Sequence, residues 1–190
     1  FYSGQNSATL NITGALSYMN GYRYRVIIGG YCAPADTSVE VTLTILEKPE
    51  LIEQPANALI CEGLETYFRV DAGVTTLPVY EWQVDDGGGT FVAVSGAPYT
   101  GEDTDSLIIT TPTSAMNGYI YRVRISGFCT PDAFSNSAML MVQENPEVIQ
   151  HPADSTICEN ENAMFTVDAG LTTSPDYQWQ VDDGGGWVNL

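Results

Sequence analysis

Four cysteines are the most reactive side chains in this sequence, and their spacing is regular. Cys32 and Cys129 lie 97 residues apart, as do Cys61 and Cys158. Thiols at locked positions can bond one another, and four of them in one chain point to an oxidising, extracellular setting. Carboxylates offer a second chemistry. Asp85-Asp86 and Asp182-Asp183 each precede three glycines, and paired carboxylates on a turn could ligate Ca²⁺. The same residues beside glycine are ordinary turn formers, and that reading is favoured. Glu102, Asp103 and Asp105 cluster too, but their counterparts 97 residues earlier are Gln5, Asn6 and Ala8, so no repeated metal site is expected there. The one histidine, His151, has Gln54 as its counterpart and is expected at the surface. Without a second histidine the common imidazole-based catalytic arrangements are absent, and the chain reads as non-enzymatic, with calcium the only cofactor considered.

The elements that carry these residues are written twice. Tyr80-Glu81-Trp82-Gln83-Val84-Asp85-Asp86-Gly87-Gly88-Gly89 returns as Tyr177-Gln178-Trp179-Gln180-Val181-Asp182-Asp183-Gly184-Gly185-Gly186. Met19-Asn20-Gly21-Tyr22 returns as Met116-Asn117-Gly118-Tyr119, and Val70-Asp71-Ala72-Gly73 as Val167-Asp168-Ala169-Gly170. The step is 97 residues throughout, the signature of a tandem repeat. The expected division is the C-terminal half of a unit at 1–46, a complete unit at 47–145 and the N-terminal half of a unit at 146–190, as in a piece of a longer array. Each half alone is too short to bury a core. The joints, Glu47-Lys48-Pro49-Glu50 and Glu144-Asn145-Pro146-Glu147, carry proline and no glycine, a composition that favours stiffness.

Within a unit the hydrophobic period is two, the period of half-buried strands. Tyr80, Trp82 and Val84 alternate with polar residues, the Asp-Asp-Gly-Gly-Gly run turns the chain, and Phe91, Val92 and Val94 return it as a hairpin. Residues 7–13 and 104–110 read as strands with Leu10 and Ile12, or Leu107 and Ile109, facing in. Tyr119, Tyr121, Val123 and Ile125 share a face of the next strand. Ala138, Leu140 and Val142, matched by Val41, Leu43 and Ile45, share a face of the last one. Phe68, Val70 and Ala72 face inward on a strand over 66–73.

An all-β unit of about 100 residues with a Trp on a middle strand resembles an immunoglobulin-like β-sandwich of the intermediate type. Glu62-Gly63 at a turn, Phe68-Arg69-Val70, Trp82 and Tyr121-Arg122-Val123 carry that resemblance. It implies a structural core of Val70, Trp82, Tyr121 and Val123, with Val167 and Trp179 in the following unit, and places Tyr121 at the family's tyrosine corner. Val70 and Val123 occupy the two core cysteine positions, so the usual inter-sheet disulfide is expected to be replaced by aliphatic packing. In this topology Cys61 precedes the second strand and Cys129 follows the sixth, which puts them at opposite ends, some ~20–30 Å apart. A disulfide between Cys61 and the cysteine one repeat beyond Cys129 is favoured, with a Cys61–Cys129 pair and free thiols as the alternatives.

The formal net charge of −18 argues against nucleic acid as a partner, since only Lys48 and five arginines are present. An acidic surface keeps a long polymer soluble and self-repelling. No apolar run approaches the roughly 18 residues of a membrane span, so no membrane insertion is expected of these residues. Asn11-Ile12-Thr13 matches a glycosylation acceptor but lies on a strand. Met139 and Met141 are expected on an outward face. Tyr67, Tyr31 and Phe128 are the candidate exposed platforms for polysaccharide.

Both units also resemble the repeats of very large cell-surface gliding-motility adhesins of Bacteroidetes (the SprB type). The motifs are Tyr177 to Gly186, Tyr2-Ser3-Gly4, Met19 to Arg25 with Met116 to Arg122, and Gln54-Pro55-Ala56 followed by Cys61-Glu62-Gly63. The resemblance implies export by the type IX system, display on the outer surface in association with the outer membrane, and a role in attachment and gliding. Its implied partners are neighbouring repeats of the same chain, other surface or filament proteins and extracellular polysaccharide. Asp105-Ser106-Leu107 and Asp154-Ser155-Thr156 look like O-glycosylation acceptors of that phylum, which marks Ser106 and Ser155. The expected function is the stalk of an adhesin or filament. The alternative is a spacer, or polysaccharide-binding repeats, of a large secreted hydrolase.

Overall fold

The computed structural model describes all residues from Phe1 to Leu190, and its regular structure is strand apart from two short 3-10 turns, Ser17–Met19 and Ser114–Met116. Ahead of the first joint are six two-residue strands: β1 (Tyr2–Ser3), β2 (Asn11–Ile12), β3 (Arg23–Tyr24), β4 (Ile27–Ile28), β5 (Asp36–Thr37) and β6 (Val41–Thr42). Between the joints lie β7 (Ala58–Cys61), β8 (Thr66–Arg69), β9 (Val79–Asp85), β10 (Val92–Ala93), β11 (Tyr99–Thr100), β12 (Ser106–Ile109), β13 (Ile120–Ser126), β14 (Ala133–Phe134) and β15 (Ala138–Gln143). Beyond the second joint are β16 (Gln180–Val181) and β17 (Val188–Asn189).

The strands between the joints make two facing sheets. One runs β10-β9-β13-β15-β7, with β14 also on β13; the other runs β11-β12-β8 and is extended by the bridge Glu53↔Asp71. Every pairing is antiparallel except β15 with β7, which is parallel. The opening segment therefore serves both sheets, with Glu53 on one and β7 on the other. Pro55 is buried at the crossing, where it can donate no hydrogen bond to either ladder. This is an immunoglobulin-like β-sandwich, in an all-β chain.

Strict alternation fills the space between the sheets. On β13 the exposure pattern switches residue by residue, and Tyr121, Val123 and Ile125 are fully buried. Trp82 and Val84 on β9, Val94, Phe68 beside Val70 and Ala72, Leu107 and Ile109 on β12, Met116, and Ala138, Leu140 and Val142 on β15 complete one cluster of 15 residues. Trp82 stands opposite Val123 in the ladder, and its Nε1 donates to the Thr104 carbonyl at 3.0 Å, so the one polar atom of the buried indole is paired. Phe68 stacks on Tyr121 with ring centroids 4.9 Å apart.

Three expectations need correction. Tyr121 is not a tyrosine corner bonded to the backbone: its hydroxyl meets that of Tyr99 at 3.1 Å, because β11 carries Tyr99 across from the other sheet. The strand expected at 7–13 reduces to Asn11–Ile12, and Leu10 and Val41 are exposed. Val167 is only half-buried and Trp179 is 40% exposed. The Phe165–Trp179 pair keeps the geometry of Phe68–Trp82 (6.5 Å in both), so the packing of these two rings is the same. Trp82 is shielded by strands from 99–142, whose counterparts 97 residues on would be numbered beyond 190.

Candidate functional site

Irregular backbone at the two joints is tied by hydrogen bonds to threonine hydroxyls. Its local origin is the Asp71-Ala72-Gly73 turn after β8, where Gly73 adopts φ +53° and donates its N–H to Asp71 Oδ1 at 2.8 Å. That turn aims two threonine hydroxyls at the joint. Thr75 Oγ1 donates to the Ala72 carbonyl at 2.6 Å and accepts the Glu50 N–H at 3.1 Å. Thr76 Oγ1 accepts the Glu47 N–H at 2.8 Å, while the Thr76 N–H returns a bond to the Glu47 carbonyl. The loop after β13 closes the other side. Phe128 N–H donates to the Thr76 carbonyl, and Cys129 Sγ lies 3.5 Å from the Leu46 carbonyl. Gly127 sits so close that a Cβ there would lie 3.0 Å from the Thr76 oxygen and 3.4 Å from Pro49.

At the second joint the same bonds recur. Thr173 Oγ1 accepts the Glu144 N–H at 2.8 Å, and Thr172 Oγ1 accepts that of Glu147 at 3.0 Å. This joint is also held from behind. Asn117 Oδ1 accepts the Val142 N–H, the Glu62 N–H donates to the Gln143 carbonyl at 2.9 Å, and Asn145 Nδ2 donates to the Glu62 carbonyl at 3.1 Å. From Val142 to Glu147 the backbone thus passes from groups of the sandwich to groups of the segment that follows. Bending the backbone here would break these hydrogen bonds.

The sequence-derived candidates fall in several places. Asp85 Oδ1 accepts the N–H groups of Gly87 and Gly89 at 3.0 and 2.9 Å. Asp182 Oδ1 does the same with Gly184 and Gly186, and these two amide bonds hold its carboxyl below the usual carboxylate range. Asp183 Oδ1 accepts from Gly185 at 3.3 Å, and Asp86 is exposed. The carboxylates close their own turns, and no group of three or more His, Cys, Asp or Glu is arranged to hold a metal ion. Cys61 lies at the end of β7 toward the second joint, Cys129 faces the first, and Cys32 and Cys158 are exposed, so the structure brings no two thiols together. Ser106 opens β12 and donates to Asp105 Oδ1, while Ser155 and His151 are exposed. No helix is long and apolar enough to cross a membrane.

Two surface features complete the site. Tyr31 and Phe128, counterparts in the two units, are both largely exposed, as is Tyr67. On the outer face of the larger sheet the Arg122 guanidinium lies 3.9 Å over Phe91 and 5.0 Å from the Phe134 ring centroid, and its Nε donates to Gln83. Gln83 bonds Glu81, which pairs with Arg124 at 2.9 Å. Sequence reading overlooked the threonines of the joint. A signal was present: Val74-Thr75-Thr76 becomes Leu171-Thr172-Thr173, so the hydroxyls persist where the neighbouring residue changes.

No family model matches this chain. Among curated proteins it is similar to Roundabout homolog 1 of Mus musculus and of Homo sapiens, each 25% identical over 138 residues. The match covers 73% of this chain and 8% of each relative, so the chain spans less than a tenth of their length. Among solved structures it is similar to the I-band fragment I67-I69 from titin, at 20% identity and a TM-score of 0.46 over 57% of this chain and 37% of that one. It is also similar to the Sidekick-1 immunoglobulin domains 1-5, at 16% identity and a TM-score of 0.46 over 76% of this chain and 29% of that one.

Proposed function

We propose that this chain is a non-enzymatic stretch of an extracellular stalk, in which immunoglobulin-like units follow one another at stiff joints to project an adhesin or surface filament. The single observation that carries the reading is the joint itself, where Glu47, Glu50, Glu144 and Glu147 each donate a backbone N–H to a threonine hydroxyl of the following segment. A stalk that bears traction needs anchored joints. A flexible tether would leave these amides to water. The acidic surface supports the same reading, since like-charged units repel and stay extended. The units are taken as 1–46, 47–145 and 146–190, and their core as the set around Val70, Trp82, Tyr121 and Val123. The motifs shared with gliding adhesins make outer-surface display, type IX export and attachment the specific form of the proposal.

An antibody against residues 47–145, carried on beads and applied to living cells of the source organism, tests it. Beads that bind and travel along the cell support a moving adhesin, and static beads a fixed stalk. Unlabelled cells in an antibody-positive medium would overturn surface display and favour a secreted spacer. A second reading, polysaccharide binding by the repeats, draws on Tyr31 and Phe128, an exposed ring at one position of both units. Retention on immobilised polysaccharide that is lost in Tyr31→Ala/Phe128→Ala supports it, and no retention of the parent chain excludes it.

A further inference from the structure

Cys129 is the half-buried cysteine of the chain, and its sulfur reaches out of its own sandwich, 3.5 Å from the Leu46 carbonyl that precedes the first joint. The residue equivalent to Leu46 at the second joint is Gln143, 97 positions on. Gln143 is the residue opposite Cys61 in the β15–β7 register, and its carbonyl accepts the Glu62 N–H at 2.9 Å. A following unit that docks as the present one docks on Leu46 would therefore bring its own Cys129-type sulfur to the carbonyl that borders Cys61. Cys61 is exposed there, and no other thiol of this chain competes for it.

We propose that successive units are stapled by a disulfide between Cys61 of one unit and the Cys129-type cysteine of the next. The alternative within a unit is set aside by distance: β13 alone, seven residues at about 3.3 Å each, separates the two ends by about 23 Å. A disulfide needs Cα atoms within about 7 Å. One S–S bond forms and two S–H bonds break. The two electrons and the two protons pass to a disulfide donor, whose own S–S bond breaks as it leaves as two thiols. The bond would cross the joint beside the threonine clamp and resist its opening under load. The inference rests on the stalk reading only for the order of the units.

The test uses the full chain extended after Leu190 by a second copy of Ser95–Asn145, which completes the third unit in register. After oxidation with glutathione disulfide, the native protein is alkylated, digested at glutamate without reduction and mapped by mass spectrometry. Two of its five thiols should be lost, with the Gln54–Glu62 peptide linked to a Cys129-type peptide. Cys129→Ser in the original copy should keep that link, and the same change in the appended copy should abolish it. The reverse pattern, or a Cys61 that stays alkylatable in the folded protein, overturns the staple. Small-angle scattering of the reduced sample separates the two ideas. An extended particle whose Cys61 stays free refutes the staple and leaves the stalk, whereas a freely hinged particle refutes the stalk whatever the sulfurs do.

Discussion

The Thr76 hydroxyl accepts the backbone N–H of Glu47 at 2.8 Å, so the first residue of the joint is held by a loop of the unit that follows it. Thr75 holds Glu50 in the same way. Valine is nearly isosteric with threonine but cannot accept a hydrogen bond, so Thr75→Val/Thr76→Val removes the clamp and leaves the shape. Each lost bond costs about 1 kcal/mol. The expected result is unchanged β circular dichroism with a broader distribution of end-to-end distances in small-angle scattering. An unchanged distribution would mean that the threonine clamp does not set the bending of the joint, and would turn attention to the close approach of Gly127 to Thr76 and Pro49.

The two repeated tryptophans should differ sharply. Trp82 is fully buried with its Nε1 bonded to Thr104, whereas Trp179 is 40% exposed. Trp82→Ala leaves a large cavity and should cost about 3–5 kcal/mol in denaturant unfolding of the sandwich. Trp179→Ala should leave that transition in place, and in the Trp82→Phe background the remaining fluorescence should be red-shifted. Equal losses would show that the segment after the second joint packs far more tightly than its exposure indicates.

This pair also shows what the sequence could and could not reveal. Period-two alternation puts Trp82, Val84, Val123 and Leu140 on one face of their strands, because the pleat of a strand converts alternation directly into a face, and all four are buried. The same alternation around Trp179 predicts the same face but says nothing of whether a second sheet covers it, which depends on contacts far along the chain. The Tyr99–Tyr121 hydroxyl contact was hidden for that reason, since 22 residues and a change of sheet separate the partners. The joint threonines were hidden for another. A hydroxyl that binds a backbone amide looks in sequence like any loop threonine, and only its persistence in both units gave it away.

Val70 and Val123 face the core where a related fold would carry a disulfide, and both are fully buried. Val70→Cys/Val123→Cys should therefore oxidise to a bridged form under mild conditions. Closing a loop of this length stabilises by about 4 kcal/mol in the chain-entropy model. The readout is the denaturation midpoint with and without reductant. Failure of the two thiols to bond in the folded protein would contradict the placing of Val70 and Val123 opposite each other between the two sheets.

Asp85 is buried at the end of β9, with one carboxylate oxygen holding two glycine amides. Asp85→Ala strands both donors and should cost about 1.5–3 kcal/mol. If the aspartates act only as turn formers, millimolar Ca²⁺ or a chelator should leave the melting curve of the parent chain unchanged. A rise in melting temperature with Ca²⁺ that vanishes in Asp85→Ala would restore the metal reading.

The Tyr99 and Tyr121 hydroxyls meet at 3.1 Å, with Tyr121 fully buried. Burial raises both pKa values above the ordinary phenol range, and for Tyr121 the bond to Tyr99 raises it further. The sign follows directly. A folded pKa above the unfolded value of about 10 means that the stability tied to the protonated pair is complete below that pH. It is lost as pH climbs beyond it, because the unfolded chain releases protons that the folded chain keeps. Of the 11 tyrosines, at least these two should remain protonated in an alkaline titration until the sandwich unfolds, seen as a late step in phenolate absorbance coincident with loss of circular dichroism. Tyr99→Phe leaves the Tyr121 hydroxyl buried without this partner and should cost about 1–3 kcal/mol, while the double change to phenylalanine removes both polar groups and should recover much of the loss. A double variant as unstable as the sum of the singles would mean the two hydroxyls act independently, and the late ionisation step would then need another origin.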